Sequence, residues 1–534
     1  MRLATTVVTL ALSCTLLFTG AEAAVAETPT PTPEPTATST TDQASPSPSP
    51  SVSTSIEPSA TETVPAPTSS GQVQPADVPA MGVPTYRNPY CQDLSVLMTP
   101  AIQQANGLPA DYLGPPVTLG QAPDLVGWVP KEGALFNNPF TKASTVVVRQ
   151  LLNGFRAATP GTTVRIAMYS MSRWDAAKAV IRAHCRGVNI QYLTDDHADG
   201  TSSSQATKTV LTADATGSLF KACYLSCSSD YKWRGERVRV VTTQNPLYRP
   251  YMHAKYITFD SLAGVPFVSM VSSGNFTSTQ VSRGWNNIYT AVNDPTTYDF
   301  LNGRLNEMWA DTSGNDYAVK SSTGWPVRTS YFFPWAVANP DDSLQTVDPA
   351  TDPYTKFLEN VKCTGAAKGY GNSKRKTQVL VSMYQWTSSR LYLARRLKRL
   401  KNAGCEVKVI MSASEWDLEV MPILRKYDKK KAKTTYKNGN ILIRNGDRGS
   451  KFVHSKFIIV NGKWGSDKKA HYVWTGSGNW TKSSLRFNNE VNLLIKGGPA
   501  YHQFKANWNK IWNSNKYSRP ITKLESEKQS REDA

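Results

Sequence analysis

Two stretches of this chain read almost alike, and that repetition restricts the fold more than any other feature of the sequence. Thr163-Val-Arg-Ile-Ala-Met-Tyr169 matches Thr377-Gln-Val-Leu-Val-Ser-Met-Tyr384, each a short apolar strand. Helical spacing follows in both: Ala176, Ala177, Val180 and Ile181 in the first, Leu393, Leu397 and Leu400 in the second. Each helix then runs into a second strand, Gly187 to Leu193 or Gly404 to Ile410. Strand, helix and strand at this length form a βαβ unit, which implies parallel pairing and an α/β class. The expected architecture is two similar βαβ-containing halves about a pseudo-two-fold axis, with a shared site at their interface. The halves are expected to span 85–340 and 341–520, with the Pro/Asp-rich segment Ala338 to Pro353 as linker and a charged tail over 521–534.

Before residue 85 nothing reads as a packed domain. Arg2, the apolar run Leu3 to Phe18 and the small-x-small tripeptide Ala24-Val25-Ala26 form an export signal over 1–26. Residues 27–84 are Thr/Ser/Pro repeats that can bury too little apolar surface to offset the entropy of ordering, so a stalk is expected there. The reading is therefore a secreted protein, extracellular or associated with the cell wall. Beyond Cys14, six cysteines remain, an even number that suits disulfides in an oxidising compartment. Cys363 and Cys405 are the two in the second half and each lies a little before a strand, so they are expected to bridge. Cys91, Cys185, Cys223 and Cys227 then pair within the first half in one of three ways. The net charge of +19 is uneven: residues 351–534 sum to +23 and residues 1–350 to −4. Such asymmetry points to an anionic partner.

The second part of each repeat holds the chemistry. The first reads Tyr251-Met-His253-Ala-Lys255, then Ser272-Ser273-Gly274-Asn275, then Trp285-Asn286-Asn287. The second reads Val453-His454-Ser-Lys456, then Gly476-Ser477-Gly478-Asn479, then Asn488-Asn489-Glu490. A spacing of two on a strand projects His and Lys from one face. A small-residue turn ending in Asn brings backbone and a neutral amide to the same point. Imidazole, ammonium and amide together suit a phosphoryl group: Lys supplies charge, Asn a donor, and His a nucleophile or proton carrier. Asp195-Asp196-His197-Ala198-Asp199 could ligate a metal, but its place after a strand reads as a cap. The lysines Lys429, Lys430, Lys431, Lys433 and Lys437 read as a solvated loop.

At these residues the sequence resembles the phospholipase D superfamily, whose signature is His-x-Lys-x4-Asp followed by Gly-Ser-x-Asn. The resemblance covers roughly 163–295 and 377–496 and implies a metal-independent phosphodiesterase, without cofactor, in which both repeats build one site. It implies His253 and His454 as nucleophile and general acid, with Lys255, Lys456, Asn275 and Asn479 binding the phosphate. Asp260, Ser273, Ser477 and Glu490 are expected in support. Ser272 stands in place of the family's first Gly, Asn461 in place of the second Asp, and Ile288 where the second repeat has Glu490. Glu490 in contact with His454 would keep that ring protonated as the acid and leave His253 as the nucleophile. Pseudo-symmetry leaves open a contact of Glu490 with His253 instead.

Three functions fit these features. The leading one is a secreted phospholipase D that hydrolyses phosphatidyl head groups through a phosphohistidine, with head-group transfer as a further outcome, acting as a monomer at an anionic surface. The second is a secreted metal-independent nuclease, which the basic half would equally serve. The third is a non-catalytic cell-wall or polyanion-binding protein, for which the stalk argues and the intact His-x-Lys pairs argue against.

Overall fold

The computed structural model describes residues 88–213, 219–223, 226–227, 230–233, 236–239, 250–310, 318–334, 347–412, 416, 419–424 and 441–521. The export signal, the stalk, the lysine cluster at 429–437, the tail from Lys523 and much of the linker lie outside them. Both halves belong to one compact unit, Val83–Ala534.

Each repeat builds its own sheet, and the two sheets have the same order at their centres. In the first, strand Thr163–Met168 pairs in parallel with Asn189–Asp195, which pairs in parallel with Phe220–Cys223. On its other side Thr163–Met168 meets the antiparallel run Lys255–Leu262, Val265–Ser272 and Asn287–Ala291. In the second, Gln378–Met383 pairs in parallel with Glu406–Met411 and this with Leu442–Asn445. Phe457–Trp464, Asp467–Gly476 and Glu490–Lys496 complete the antiparallel side. The sequence assigns 318–333 to the first half, yet Ala318–Ser321 and Val327–Phe333 extend the second sheet, with Phe333 opposite Glu490.

The strands read as continuous apolar runs because both faces of each sheet are covered. Val164, Ile166 and Met168 face a core shared with Val180 and Ile181 of the helix Trp174–Cys185. Val379, Val381 and Met383 do the same toward Leu393, Leu397 and Leu400 of the helix Leu391–Asn402. The intervening residues Ala167 and Leu380 turn the other way, into a third core. There Tyr256, Val271 and Tyr289 of the first sheet meet Phe457, Ile459 and Val473 of the second. A fully buried Leu such as Leu397 contributes roughly 2 kcal/mol. The βαβ crossovers end alike: Gly187 (φ 101°) and Gly404 (φ 95°) take the left-handed conformation that stops each helix and releases the next strand. On Leu391–Asn402, Arg395 and Arg399 are exposed while Arg396 and Lys398 are half-buried.

The cysteines pair as Cys91–Cys185, Cys223–Cys227 and Cys363–Cys405, so the expected bridge in the second half is present and the other four pair within the first. Among the described residues no helix is long and apolar enough to cross a membrane.

Candidate active site

The halves exchange backbone where their His-x-Lys segments begin. Phe452 and Val453 pair in parallel with Gly284 and Trp285, and Met252 forms the matching bridge with Asn489. His454 N donates to Trp285 O at 3.0 Å, and Asn489 N to Tyr251 O at 3.0 Å. Each segment that leads into a His-x-Lys pair is therefore held by the strand entry of the opposite half. His253 and His454 lie just before their strands, and Lys255 opens its strand while Lys456 precedes Phe457.

All four side chains are buried: His253 4%, His454 5%, Lys255 0% and Lys456 1% exposed. Lys255 Nζ donates to His253 O at 2.6 Å and Lys456 Nζ to His454 O at 3.0 Å, so each ammonium is folded back beneath its own histidine. Tyr169 and Tyr384, the last residues of the repeated strand motif, supply the other wall. Lys255 Nζ lies 5.0 Å from the Tyr169 ring centre and Lys456 Nζ 4.9 Å from that of Tyr384, at cation–π distance. The same rings pack on the histidines, with centroids 5.1 Å apart for Tyr169–His253 and 4.4 Å for Tyr384–His454. Neither tyrosine is named by the sequence reading as a site residue, although both close a motif that it matched.

Each histidine is oriented from across the interface. Glu490 accepts from His253 Nδ1, at 2.9 Å to Oε1 and 3.0 Å to Oε2. The expected pairing of Glu490 with His454 is thus corrected, because the crossed strands carry its carboxylate to the other half. His454 Nδ1 donates instead to Asn286 Oδ1 at 2.9 Å. The Asn286 amide cannot turn over cheaply: its Nδ2 donates to Gln280 O at 3.0 Å and to Gln280 Oε1 at 3.1 Å. Glycine is required on both sides of it, since a Cβ at Gly274 would lie 2.7 Å from Asn286 Cγ and one at Gly284 2.8 Å from Nδ2. Asn286, not Ile288, is therefore the structural counterpart of Glu490.

The two turn serines donate to these acceptors. Ser477 Oγ donates to Glu490 Oε2, and Ser273 Oγ to Asn286 Oδ1 at 3.2 Å. Ser484, unmarked in the sequence, donates to Glu490 Oε1 at 2.7 Å and accepts from Asn479 N at 3.2 Å. Asn479 is buried, with Oδ1 accepting from Gln385 N at 3.4 Å, whereas Asn275 is half-buried and its Oδ1 has no partner among the described residues. Asp260 is not in the site. Five residues beyond Lys255, roughly 16 Å along an extended strand, it accepts from Thr163 N at 2.9 Å and ties two strands together. Asn461 ties strand to loop at the equivalent place, receiving Gly371 N and donating to Gln378 Oε1.

The electrostatics follow from burying this much charge. Burial and the neighbouring Lys456, Lys255 and His253 hold His454 well below its ordinary 6.5. Lys456 Nζ lies 3.1 Å from its ring nitrogens, which disfavours an imidazolium. Burial pushes the Glu490 carboxyl up, but His253, Lys255 and Ser477 outweigh it and hold the group at about 2. A depressed carboxylate contributes stability that is present above its unfolded value and lost as pH falls through the folded one. Wild type is therefore expected to lose this contribution between 4.5 and about 2. Glu490→Gln should be less stable than wild type near neutrality, with a gap that narrows across that window in urea unfolding. A gap independent of pH would contradict the assignment.

Asp195 serves as the cap that the sequence suggested. Its carboxylate accepts from His197 N at 3.1 Å at the head of Asp196–Ala198 and from Met252 N at 2.7 Å, bracing the residue before His253. Asp195, Asp196 and His197 are the one His/Cys/acidic cluster within ligating distance among the described residues.

The family model of the cardiolipin synthase PLD-like domain matches residues 151–309 and 372–512. No curated protein matches the chain. Among solved structures it is similar to phosphatidylserine synthase from Haemophilus influenzae, at 12% identity over 74% of this chain and 90% of that one, TM-score 0.47. It is also similar to polyphosphate kinase from Porphyromonas gingivalis, at 15% identity over 78% of this chain but 58% of the kinase, TM-score 0.42. Yeast tyrosyl-DNA phosphodiesterase aligns at 12% identity over 68% of this chain and 89% of that one, TM-score 0.37. The family match covers more than half of the sequence, and each matched segment contains one His-x-Lys pair, so the chain belongs to the phospholipase D superfamily of phosphodiester-handling enzymes.

Proposed function

We propose that the protein is a secreted phospholipase D that cleaves the head group from a phosphatidyl ester through a phosphohistidine on His253. The observation that carries this reading is the pair of buried His–Lys sets facing each other, one histidine held by a carboxylate and the other by an amide. Glu490 accepts the hydrogen bond from His253 Nδ1–H, which fixes the tautomer whose Nε2 lone pair can bond to phosphorus, and its charge stabilises the cation that then forms; the carboxylate therefore orients the nucleophile and does not mark the acid. His454 Nδ1 meets a neutral amide and the Lys456 ammonium where His253 meets a carboxylate, so its proton affinity responds to what the site contains. An anionic phosphate offsets Lys255 and Lys456 and lets His454 take up a proton on binding.

In the first step His253 Nε2 bonds to phosphorus, the bond from phosphorus to the head-group oxygen breaks, and His454 protonates the departing alcohol. In the second, water gives a proton to His454 as its oxygen bonds to phosphorus, and the phosphorus–nitrogen bond breaks. The Lys and Asn side chains hold the non-bridging oxygens throughout. An alcohol in place of water would give head-group transfer. The name of the matched family, cardiolipin synthase, supports a phospholipid substrate.

The test is incubation of the mature protein with phosphatidylcholine vesicles and, separately, with plasmid DNA. Choline release is the expected result. Nicking of the plasmid without choline release would transfer the same chemistry to a nuclease, and neither activity would leave a binding protein.

A further inference from the structure

The site is braced unequally from outside. Arg390, just before the helix Leu391–Asn402, is 1% exposed, and its guanidinium is shared among Asp352, Asn479 and the Tyr392 hydroxyl, the last at 3.3 Å from Nε. Nε donates to Asp352 Oδ2 at 3.1 Å, with Nη2 on the same oxygen, and Nη1 donates to Asn479 O at 3.1 Å. Asp352 is itself fully buried and caps the helix Pro353–Glu359 through Tyr354 N at 2.8 Å. The guanidinium also lies 4.9 Å from the Tyr354 ring centre.

From Asn479 a continuous hydrogen-bonded path leads to the reacting histidine. Asn479 N donates to Ser484 Oγ, Ser484 Oγ donates to Glu490 Oε1, and Glu490 accepts from His253 Nδ1. The first half is built otherwise. Ser172 N donates to Phe276 O as Thr387 N does to Trp480 O, so the residue three further on is Asp175 where the second half has Arg390. The Asp175 carboxylate, 34% exposed, pairs with Arg173 near the surface. Asn275 in the corresponding turn is half-buried, where Asn479 is 1% exposed.

We propose that Arg390, fixed by Asp352, is a positioning residue that sets the Asn479 turn and, through Ser484, the aim of the Glu490–His253 pair. The second half then presents a preformed phosphate anchor, and the first-half turn adapts to what is bound. A planar fork can hold a carboxylate and a carbonyl at once, which a lysine cannot reproduce. The proposal rests on the phosphodiesterase reading above.

The test uses bis(p-nitrophenyl) phosphate with the full mature chain. Arg390→Lys keeps the charge opposite Asp352 and should melt close to wild type. Its kcat and the rate of the first nitrophenolate burst should fall about 100-fold, with only a few-fold change in KM. Ser484→Ala, which removes one small link of the path, should show the same pattern. The double variant should fall little further, because both changes cut one path; independent losses would multiply to roughly 10⁴. Wild-type kcat in folded Arg390→Lys, or multiplicative losses, would overturn the proposal. Should Arg390→Lys fail to fold, Ser484→Ala decides: a loss of about 100-fold supports the path and unchanged kcat overturns it. A wild-type chain without any diester turnover would defeat the phosphodiesterase reading itself.

Discussion

His253→Ala should lower turnover of a phosphodiester by roughly 10⁴-fold or more, with little change in how tightly the substrate is held. The variant loses the atom that bonds to phosphorus, while Lys255, Lys456 and both turn asparagines remain to bind the phosphate. Residues that act as one catalytic unit show large single losses that do not add, so a His253→Ala/His454→Ala double variant should be little worse than the single one. Steady-state kinetics on both variants checks this. A His253→Ala protein within tenfold of wild type would exclude a nucleophilic role and return the attack to His454 or to water.

His454→Ala gives the second large effect, and its form depends on the leaving group. With an alkyl alcohol, which needs a proton as it departs, turnover should fall as far as in His253→Ala. With p-nitrophenolate, which leaves without one, the first step should survive and the second should stall, because the group that takes a proton from water is gone. One equivalent of nitrophenolate should appear in a burst, and a phosphoryl adduct should be recoverable on the peptide containing His253. Label on any other residue, or many turnovers with no adduct, would sink the assignment of roles. That assignment no longer rests on a carboxylate that keeps the acid protonated: Glu490 lies on His253, where it orients the nucleophile and stabilises its cation, and His454 has Asn286 in the equivalent place.

Much of this was legible in the residues. The repeated strand and helix patterns follow from burial on both sheet faces, and the His-x-Lys pairs with their small-residue turns mark where the chemistry lies. Pairing of Glu490 was not legible from one half considered alone, because strands 284–285 and 452–453 cross between the halves. Its counterpart was misplaced by matching the Asn pairs Asn286-Asn287 and Asn488-Asn489, which sets the registers two residues apart. The better ruler was present: from the turn serine to the acceptor is a separation of 13 in both halves, Ser273 to Asn286 and Ser477 to Glu490. Asp260 misled for a related reason. A motif letter five residues along a strand lies far from the site, and its carboxylate answers a backbone need between strands. Arg390 and Asp352 leave no local pattern, since each acts through a contact between segments distant in sequence.

The exchange of acceptors also determines which way round a substrate can lie. Two histidines related by an approximate two-fold axis would accept a diester in either direction, and half of all encounters would place the departing group beside the wrong ring. Glu490 against Asn286 breaks that degeneracy with a small chemical difference, a carboxylate on a side chain one methylene longer against an amide, and one unit of charge at equivalent positions. The site thereby acquires a direction. The bond to be broken points away from His253 and toward His454, and the group retained on phosphorus lies beside that axis. Selectivity for the departing group is then decided on one side of the site, around His454.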